Sequence, residues 1–488
     1  MEITGSEPAA RTGPRATESE STAVPLVIWL LAASAFVMIL NETIMSVALP
    51  VLVQDLSITV GTAQWLTSGF LLVMAVVIPM TGYLLDRFSP RHIFLAAMTL
   101  FVLGTLVCAL APGFAVLMLG RIIQASGTAV MLPLLMTTAV RLIPPQRRGA
   151  TMGTVSLAIG VAPAIGPTVS GIILTSLSWR WMFGIVLPIA LLALVAGARR
   201  LESTRRGPAA PLDLPSVVLS ALAFGGLLFG ISSIGESVNG EAPIAPWIPI
   251  VVGALSLVLF VLRQVRLQRE DRALLDLRAF THRRFTVSLV LIVLSMMGLI
   301  GSFVLLPLYL QNVLHASTFV TGLAILPGGL TMAVLGTVVG RLYDRFGARP
   351  LVIPGTALVA IAQWLFTTLG ATSAVWVVVA IHLVLMMVGV AFILTPVMSD
   401  ALGNLPSSLD SHGSAILSTL QQFGGAVGTA LFTTVTVAAS ASVSTGVDAG
   451  GTQAAFVCAA VVATAAVGVA LAVRRRSGAA RPVSVGVH

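Results

Sequence analysis

The sequence predicts an all-α integral membrane protein with fourteen spanning helices, arranged as two related six-helix bundles with two additional helices between them. Three observations predict it. The 488-residue chain is 57% hydrophobic and only 9% charged, with a mean hydropathy of +1.01. Its apolar residues gather into fourteen runs of spanning length, and a stretch that follows the second run recurs after the tenth.

A soluble domain carries about a quarter charged residues, so lipid is the solvent for most of this chain. Plentiful Gly (45) and Pro (26) beside only three Tyr fit helices that approach closely through small residues. Cys108 and Cys458 stand far apart with no ligand-like spacing, so neither a disulfide framework nor a metal site is expected. The basic residues are all Arg, as a GC-rich bacterial genome would give. Without Lys the nucleotide loop GxxxxGK[ST] cannot form, and no hydrolase triad is present, so the chain is not expected to be an enzyme.

The elements follow in order. Residues 1–23 are rich in Ser, Thr, Glu, Pro and Gly and read as a disordered cytoplasmic tail. The run 24–49 is longer than a signal-peptide core and no small-residue cleavage pattern follows it closely, so it stays as the first span. About 20 apolar residues cross a bilayer. By that measure 61–84, 92–111, 114–140, 149–175 and 182–198 complete a first bundle over 24–198. Residues 199–285 form a linker with two additional spans, 214–234 and 245–262, joined by the Pro/Gly-rich ESVNGEAPIAP with its Glu236 and Glu241. Twelve or thirteen spans result if 214–262 folds otherwise. Runs 286–308, 318–340, 350–370, 374–397, 414–439 and 453–473 make a second bundle, 286–473, and 474–488 is a cytoplasmic tail.

Arginine placement tests this count independently, because cytoplasmic loops retain Arg and Lys. With the N-terminus inside, Arg87 and Arg91, Arg147 and Arg148, Arg199 to Arg206, Arg263 to Arg284, Arg345 and Arg349, and Arg474 to Arg476 all fall inside. Arg180 alone lies on an outside loop and Arg121 alone lies deep in a span. The alternation requires an even number of spans with both termini cytoplasmic, and it accounts for the pI near 11.1 without nucleic acid.

The repeat pairs GYLLDRFSPRHI (82–93) with GRLYDRFGARPL (340–351), 258 residues apart. Two parallel halves around a midplane site are a transporter architecture. Here the chain resembles the major facilitator superfamily, and within it the fourteen-span drug:proton antiporters (QacA/EmrB type), over residues 25–473. GYLLDRFSPRHI resembles the superfamily's Gly-x-Leu-Ala-Asp-Arg loop, with Ser89 and Pro90 in place of Gly and Arg. LGRIIQASGTA (119–129) is similar to the fourth-helix motif, and GVAPAIGPTVSG (160–171) to the fifth-helix antiporter motif with Ser170 for one Gly. SWRWMFGIVLP, LPLYLQNVL, GLAILPGG and HGSAILSTLQQFGGAVGTAL are similar to further stretches of that branch. The resemblance implies the major facilitator fold and export rather than uptake, with Gly160, Pro163, Gly166, Pro167 and Gly171 sealing the bundle against leak.

Glu42, in LNETIMSVALP, is the one acid placed within a span. An ionised carboxylate there costs several kcal/mol unless paired or hydrated, so it is either the proton-coupling group or a carboxylate lining an aqueous cavity. The family's acid stands where this chain has Asn41, and one residue turns a side chain by about 100°. Arg121 is the candidate partner, as a switch or as a fixed ion pair: Glu42 lies eight residues before Pro50 and Arg121 eight after Gly113, each ~12 Å from the outer end. Gly82, Asp86, Arg87 and Arg91, with Gly340, Asp344, Arg345 and Arg349, read as gating loops whose ion pairs part when the cytoplasmic side opens. His382, near the repeat position of Arg121, is either a second proton site or a packing histidine. Gln64, Trp65, Gln124, Gln421 and Gln422 are candidates to line a substrate cavity.

The expectation is a proton-driven exporter of lipophilic or amphipathic drugs in a bacterial cytoplasmic membrane. Its partners are then a small-molecule substrate, protons and the bilayer, with no cofactor and no nucleic acid. The second half has no acid placed in a span, which favours neutral or monocationic cargo. Dedicated export of one native compound (a lipid, siderophore or self-made antibiotic) and proton-driven uptake are the alternatives; a sensor role lacks any sizeable soluble domain.

Overall fold

The computed structural model describes residues 26–58, 60–143, 161–162, 165–166, 168–201, 213–238, 244–270, 272–440 and 448–473. Among them thirteen helices are long and apolar enough to cross a membrane. These are α1 (Leu26–Asp55), α2 (Val60–Arg87), α3 (Pro90–Ala109), α4 (Phe114–Leu142), α6 (Arg180–Arg200), α7 (Leu214–Val238) and α8 (Trp247–Leu267), then α9 (Arg283–Leu308), α10 (Thr318–Phe346), α11 (Arg349–Phe366), α12 (Val375–Gly403), α13 (Asp410–Ala439) and α14 (Ala449–Leu471). The fifth expected span, 149–175, lies mostly outside the described residues; its described helical residues, 161–162, 165–166 and 168–176, are α5. Also outside fall both tails, Gly160, Pro163, Pro167 and Glu241, and the side chains of Asp86, Gln64 and Glu236.

At the two gating loops the sequence supplies helix caps. Ser89 is extended (φ −67°, ψ 151°) and its Oγ accepts from the His92 N–H, with Pro90 in the first turn of α3. That pair therefore replaces Gly-Arg of the family loop with an N-cap and a proline that needs no donor. In the second repeat Gly347 ends α10 in the left-handed region (φ 79°), which glycine adopts without strain.

Several helices run past their expected ends. α1 continues through Pro50 to Asp55, whose Oδ2 accepts from Trp179 Nε1 at 2.7 Å. The outer end of α1 is thus more than a turn beyond the expected one, and Glu42 lies deeper than a count from Pro50 gives. α12 continues to Gly403 through a π-helical stretch, Ile381–Met387, and takes Asp400 into a helix. Asp400 is only partly buried in the last turn, bonded to Ser288 and Asn404, and so is a helix-end acid rather than one deep in a span. α7 extends to include Glu236.

In the first half α4 packs on α1, α2 and α3, and α6 on α1 and α3; in the second, α9 packs on α12, α13 and α14, and α11 on α12 and α14. Both arrangements contribute apolar faces to one large core that runs through both halves, and the first half has two smaller clusters besides. The halves meet where α13 lies against α2 and α4, and where Thr168 of α5 meets Gly322 of α10. α7 and α8 form a hairpin so close that a Cβ on Gly226 would lie 2.9 Å from Gly253 Cα; α7 rests on α2 and α13, while Val251, Leu255, Val258 and Leu262 of α8 stay exposed. That exposed apolar face belongs against lipid.

Arginine-bearing ends converge on one face of the bundle. There Arg91 donates to the Ala198 carbonyl at 2.9 Å, Arg141 to Ser411 Oγ at 2.8 Å and Arg284 to Asn404 Oδ1 at 2.9 Å. At the opposite face Arg180 donates to the Ala111 carbonyl at 2.9 Å and lies 3.8 Å from Asp55.

Candidate functional site

Arg121 of α4 is fully buried, and its surroundings are the centre of the site. Its Nε donates to the Leu66 carbonyl at 3.3 Å, and its Nη1 donates to Gln124 Oε1 at 3.1 Å and to Asn41 Oδ1 at 3.3 Å. The guanidinium carbon stands 4.0 Å from the centre of the Phe70 ring, a cation–π arrangement. Among the described residues Nη2 has no hydrogen-bond partner. A buried guanidinium held only by neutral groups keeps its whole charge uncompensated at close range.

Gln124 steadies this cluster from the same helix. Its Nε2 donates to Thr105 Oγ1 of α3 at 2.8 Å, which fixes Oε1 toward Arg121. α3 and α4 come close enough for this because a Cβ on Gly104 would lie 2.5 Å from the Gln124 nitrogen. Gln124 is therefore part of the Arg121 network, not a cavity-lining residue, because its polar atoms are already engaged inside the first half.

Glu42 does not contact Arg121. No ion pair within 4 Å joins them among the described residues, although each lies in the other's electrostatic field. Helix geometry explains the arrangement. Two exposed positions of α1, Ala33 and Val51, each lie nine residues from Glu42, about two and a half turns, so Glu42 is on the opposite side of the helix. Glu42 thus faces the bundle interior and is half-buried there. Asn41, about 100° away, meets α4, and Thr43, about 100° the other way, meets α5.

The α5 contact brings in the antiporter stretch. A Cβ at Gly166 would collide with Thr43 Oγ1 and lie 2.9 Å from Thr43 Cβ, so only glycine admits this approach. Gly171, by contrast, has open space around it. Glu42 therefore sits between the strips of α1 that meet the fourth-helix and fifth-helix motifs. Thr43, Phe70, Thr105 and the Leu66 carbonyl were not legible in the sequence as parts of this cluster; no motif marks them.

The remaining candidates are distributed differently. His382 lies on the π-helical stretch of α12 in the second half, 1% exposed, edge-on to Phe303 and hard against Gly328, with neither ring nitrogen hydrogen-bonded among the described residues. Trp65 meets Phe229 of α7 in a tilted ring contact, centroids 5.4 Å apart. Gln421 reaches Met296 within its own half, whereas Gln422 reaches Met74 Sδ across the halves at 3.7 Å. In the gating loops, Arg87 donates to Tyr83 Oη at 2.9 Å, Arg345 lies over Phe346, and Gly82 and Gly340 are buried. Arg349 opens α11. Arg91 ties α3 to the end of α6, and Asp344 has interaction partners of its own.

Fold and site together are those of a helical membrane transporter, with two bundles meeting along a seam and a buried charged cluster in one of them. The chain belongs to the Major Facilitator Superfamily, whose profile matches residues 31–429. The lincomycin resistance protein LmrB of Listeria monocytogenes is 38% identical over 84% of this chain and 86% of its own length. LmrB of Bacillus subtilis is 38% identical over 85% and 86%, and the multidrug resistance protein B homolog of Mycobacterium tuberculosis 31% over 80% and 72%. Among solved structures, the human organic anion transporter MFSD10 superposes with a TM-score of 0.62 at 17% identity, covering 91% of this chain and 99% of its own. The xylose transporter XylE from E. coli gives 0.60 at 16% identity, covering 93% and 99%. These two likenesses speak for the fold alone. The protein is a multi-pass protein of the bacterial cytoplasmic membrane.

Proposed function

We propose that this transporter exports lipophilic or amphipathic drugs, antibiotics among them, in exchange for protons by alternating access. Its relatives are named for lincomycin and multidrug resistance. The observation that carries the coupling mechanism is the disposition of Glu42: on the inward face of α1, within the field of a buried Arg121 whose Nη2 is unpartnered. Loss of the proton from Glu42 adds a negative charge beside that guanidinium and draws the two together; uptake of a proton releases it. The pull strains the Asn41 and Gln124 bonds and the α1–α5 contact at Thr43, so the protonation state favours one arrangement of the helices over the other.

The arginine-rich face is cytoplasmic in this reading, by the positive-inside rule. The seam of α2 and α4 with α13 closes that face, and the loops bearing Arg87, Arg91, Arg345 and Arg349 move with it. Residues 24–198 and 286–473 act as the two moving bodies, and Gln422, bonded across the seam, borders the path of the cargo. The proton gradient supplies the energy without a cofactor; each charge crossing 100 mV is worth about 2.3 kcal/mol. Neutral or monocationic cargo suits an interior whose one central acid is Glu42.

The test is transport by purified protein in proteoliposomes across a panel of fluorescent amphiphiles and lincosamides, with an imposed pH gradient. Export of several chemotypes with counterflow of protons supports the reading. A response confined to one chemotype replaces it with a dedicated exporter, and accumulation in the proton's direction replaces it with a symporter.

A further inference from the structure

The two additional helices have no part in the mechanism above, yet a buried side chain connects them to the seam. Gln264, in the last turn of α8, is fully buried. Its Nε2 donates to Ser216 Oγ at the start of α7 at 2.7 Å, and its Oε1 accepts from the N–H groups of Leu274 and Leu275 at 2.8 and 3.1 Å. Two consecutive backbone donors of an irregular segment thus depend on one amide oxygen, using both its lone pairs. Arg263 beside it is bidentate to Asp213, at 2.7 and 2.6 Å, which pins the same ends of α7 and α8 together.

The segment held in this way lies on the seam. Leu274, Leu275 and Asp276 are buried. A Cβ on Gly82 of α2 would lie 3.6 Å from the Leu274 carbonyl oxygen, 3.3 Å from His412 Nδ1 and 3.4 Å from Ala415 Cβ of α13. Asp276 caps the turn Leu277–Thr281, pairs with Arg278 and acts electrostatically on His412. The turn leads into α9, Phe280 meeting Phe285 edge-on. The strap 274–276 is therefore wedged at the point where the first half (Gly82) meets the second (His412, Ala415).

We infer that Gln264 is a positioning residue of the gate: by seating the strap 274–276 on Gly82 and His412 it makes the α7–α8 hairpin a brace that holds the arginine-rich face closed. Parting α2 from α13 requires the strap to leave one of them, and Gln264 determines how firmly it is held. This rests on the alternating-access reading, so the test reports on both.

Two reporters are placed in the full-length protein carrying Cys458→Ser: Ala415→Cys at the seam and, separately, Thr168→Cys at the opposite face, where α5 meets α10. Rates of labelling by a maleimide are read in proteoliposomes with Gln264 intact, with Gln264→Leu and with Gln264→Glu, which keeps oxygen acceptors for both N–H groups. Gln264→Leu is expected to raise labelling at 415 several-fold while labelling at 168 falls or holds, and Gln264→Glu to return the 415 rate toward that of the parent. Unchanged labelling at 415, or faster labelling at both positions, overturns the inference. Reporters that fail to move in opposite directions in the parent when the pH gradient is reversed overturn alternating access itself, a separate result.

Discussion

Asn41 Oδ1 accepts from Arg121 Nη1 at 3.3 Å, and the carboxylate one residue along does not touch the guanidinium. The position at which the family carries its acid is therefore the one that contacts the arginine, and this chain fills it with a neutral amide. Charge and contact are divided here between two neighbouring residues, Glu42 and Asn41.

That division is testable by moving the charge. Glu42→Gln is expected to reduce proton-coupled exchange in proteoliposomes by at least about tenfold, equivalent to ~1.4 kcal/mol, with insertion unchanged. Adding Asn41→Asp to it places a carboxylate directly on Arg121, and partial recovery of pH-dependent exchange is expected. Wild-type exchange by Glu42→Gln alone removes Glu42 from the mechanism.

Gly166→Ala is expected to disturb the α1–α5 contact, because its methyl would collide with Thr43 Oγ1. Overpacking of this kind costs about 1–3 kcal/mol. Thermal unfolding of the detergent-solubilised protein should show the loss, and Thr43→Ala in the same chain should restore part of it, the 2.9 Å approach to Cβ remaining. No change in unfolding temperature with Gly166→Ala would mean that the two helices are not in this contact.

Gly82→Cys with Ala415→Cys, in a Cys458→Ser background, is expected to form a disulfide, since the two Cβ atoms would be 3.4 Å apart. Oxidation should stop transport and reductant restore it, because the bond joins α2 to α13 at the seam. Full transport with the bond formed shows that this seam does not open.

Asp213 offers a pH test outside the membrane. The Arg263 bonds to its carboxyl outweigh partial burial and hold its pKa at about 2, against an ordinary 3.8. A depressed acid stabilises the fold above its ordinary value, and the contribution disappears as pH falls through about 4 toward 2. With Arg263 38% exposed, screening limits it to roughly 1 kcal/mol. Asp213→Asn should therefore unfold at lower temperature than the parent at pH 6, with the gap closing near pH 2; a gap that persists there contradicts the assignment.

The sequence by itself determined the membrane class, the family and the thirteen spans found among the described residues. Apolar length, arginine alternation and the repeat at Gly82 and Gly340 are local signals that survive without knowing which helices touch. It also singled out Glu42 and Arg121, because a charge in an apolar run is conspicuous wherever the run ends up. Only the tertiary structure decided that Asn41 rather than Glu42 meets Arg121, that Gly166 sits on Thr43, and that Gln264 holds a strap at Gly82. Those relationships depend on the rotation of each helix about its axis and on partners distant in the chain. Helix rotation is set by packing against neighbours, and a glutamine in an apolar helix looks the same whether it faces a cavity or a buried backbone.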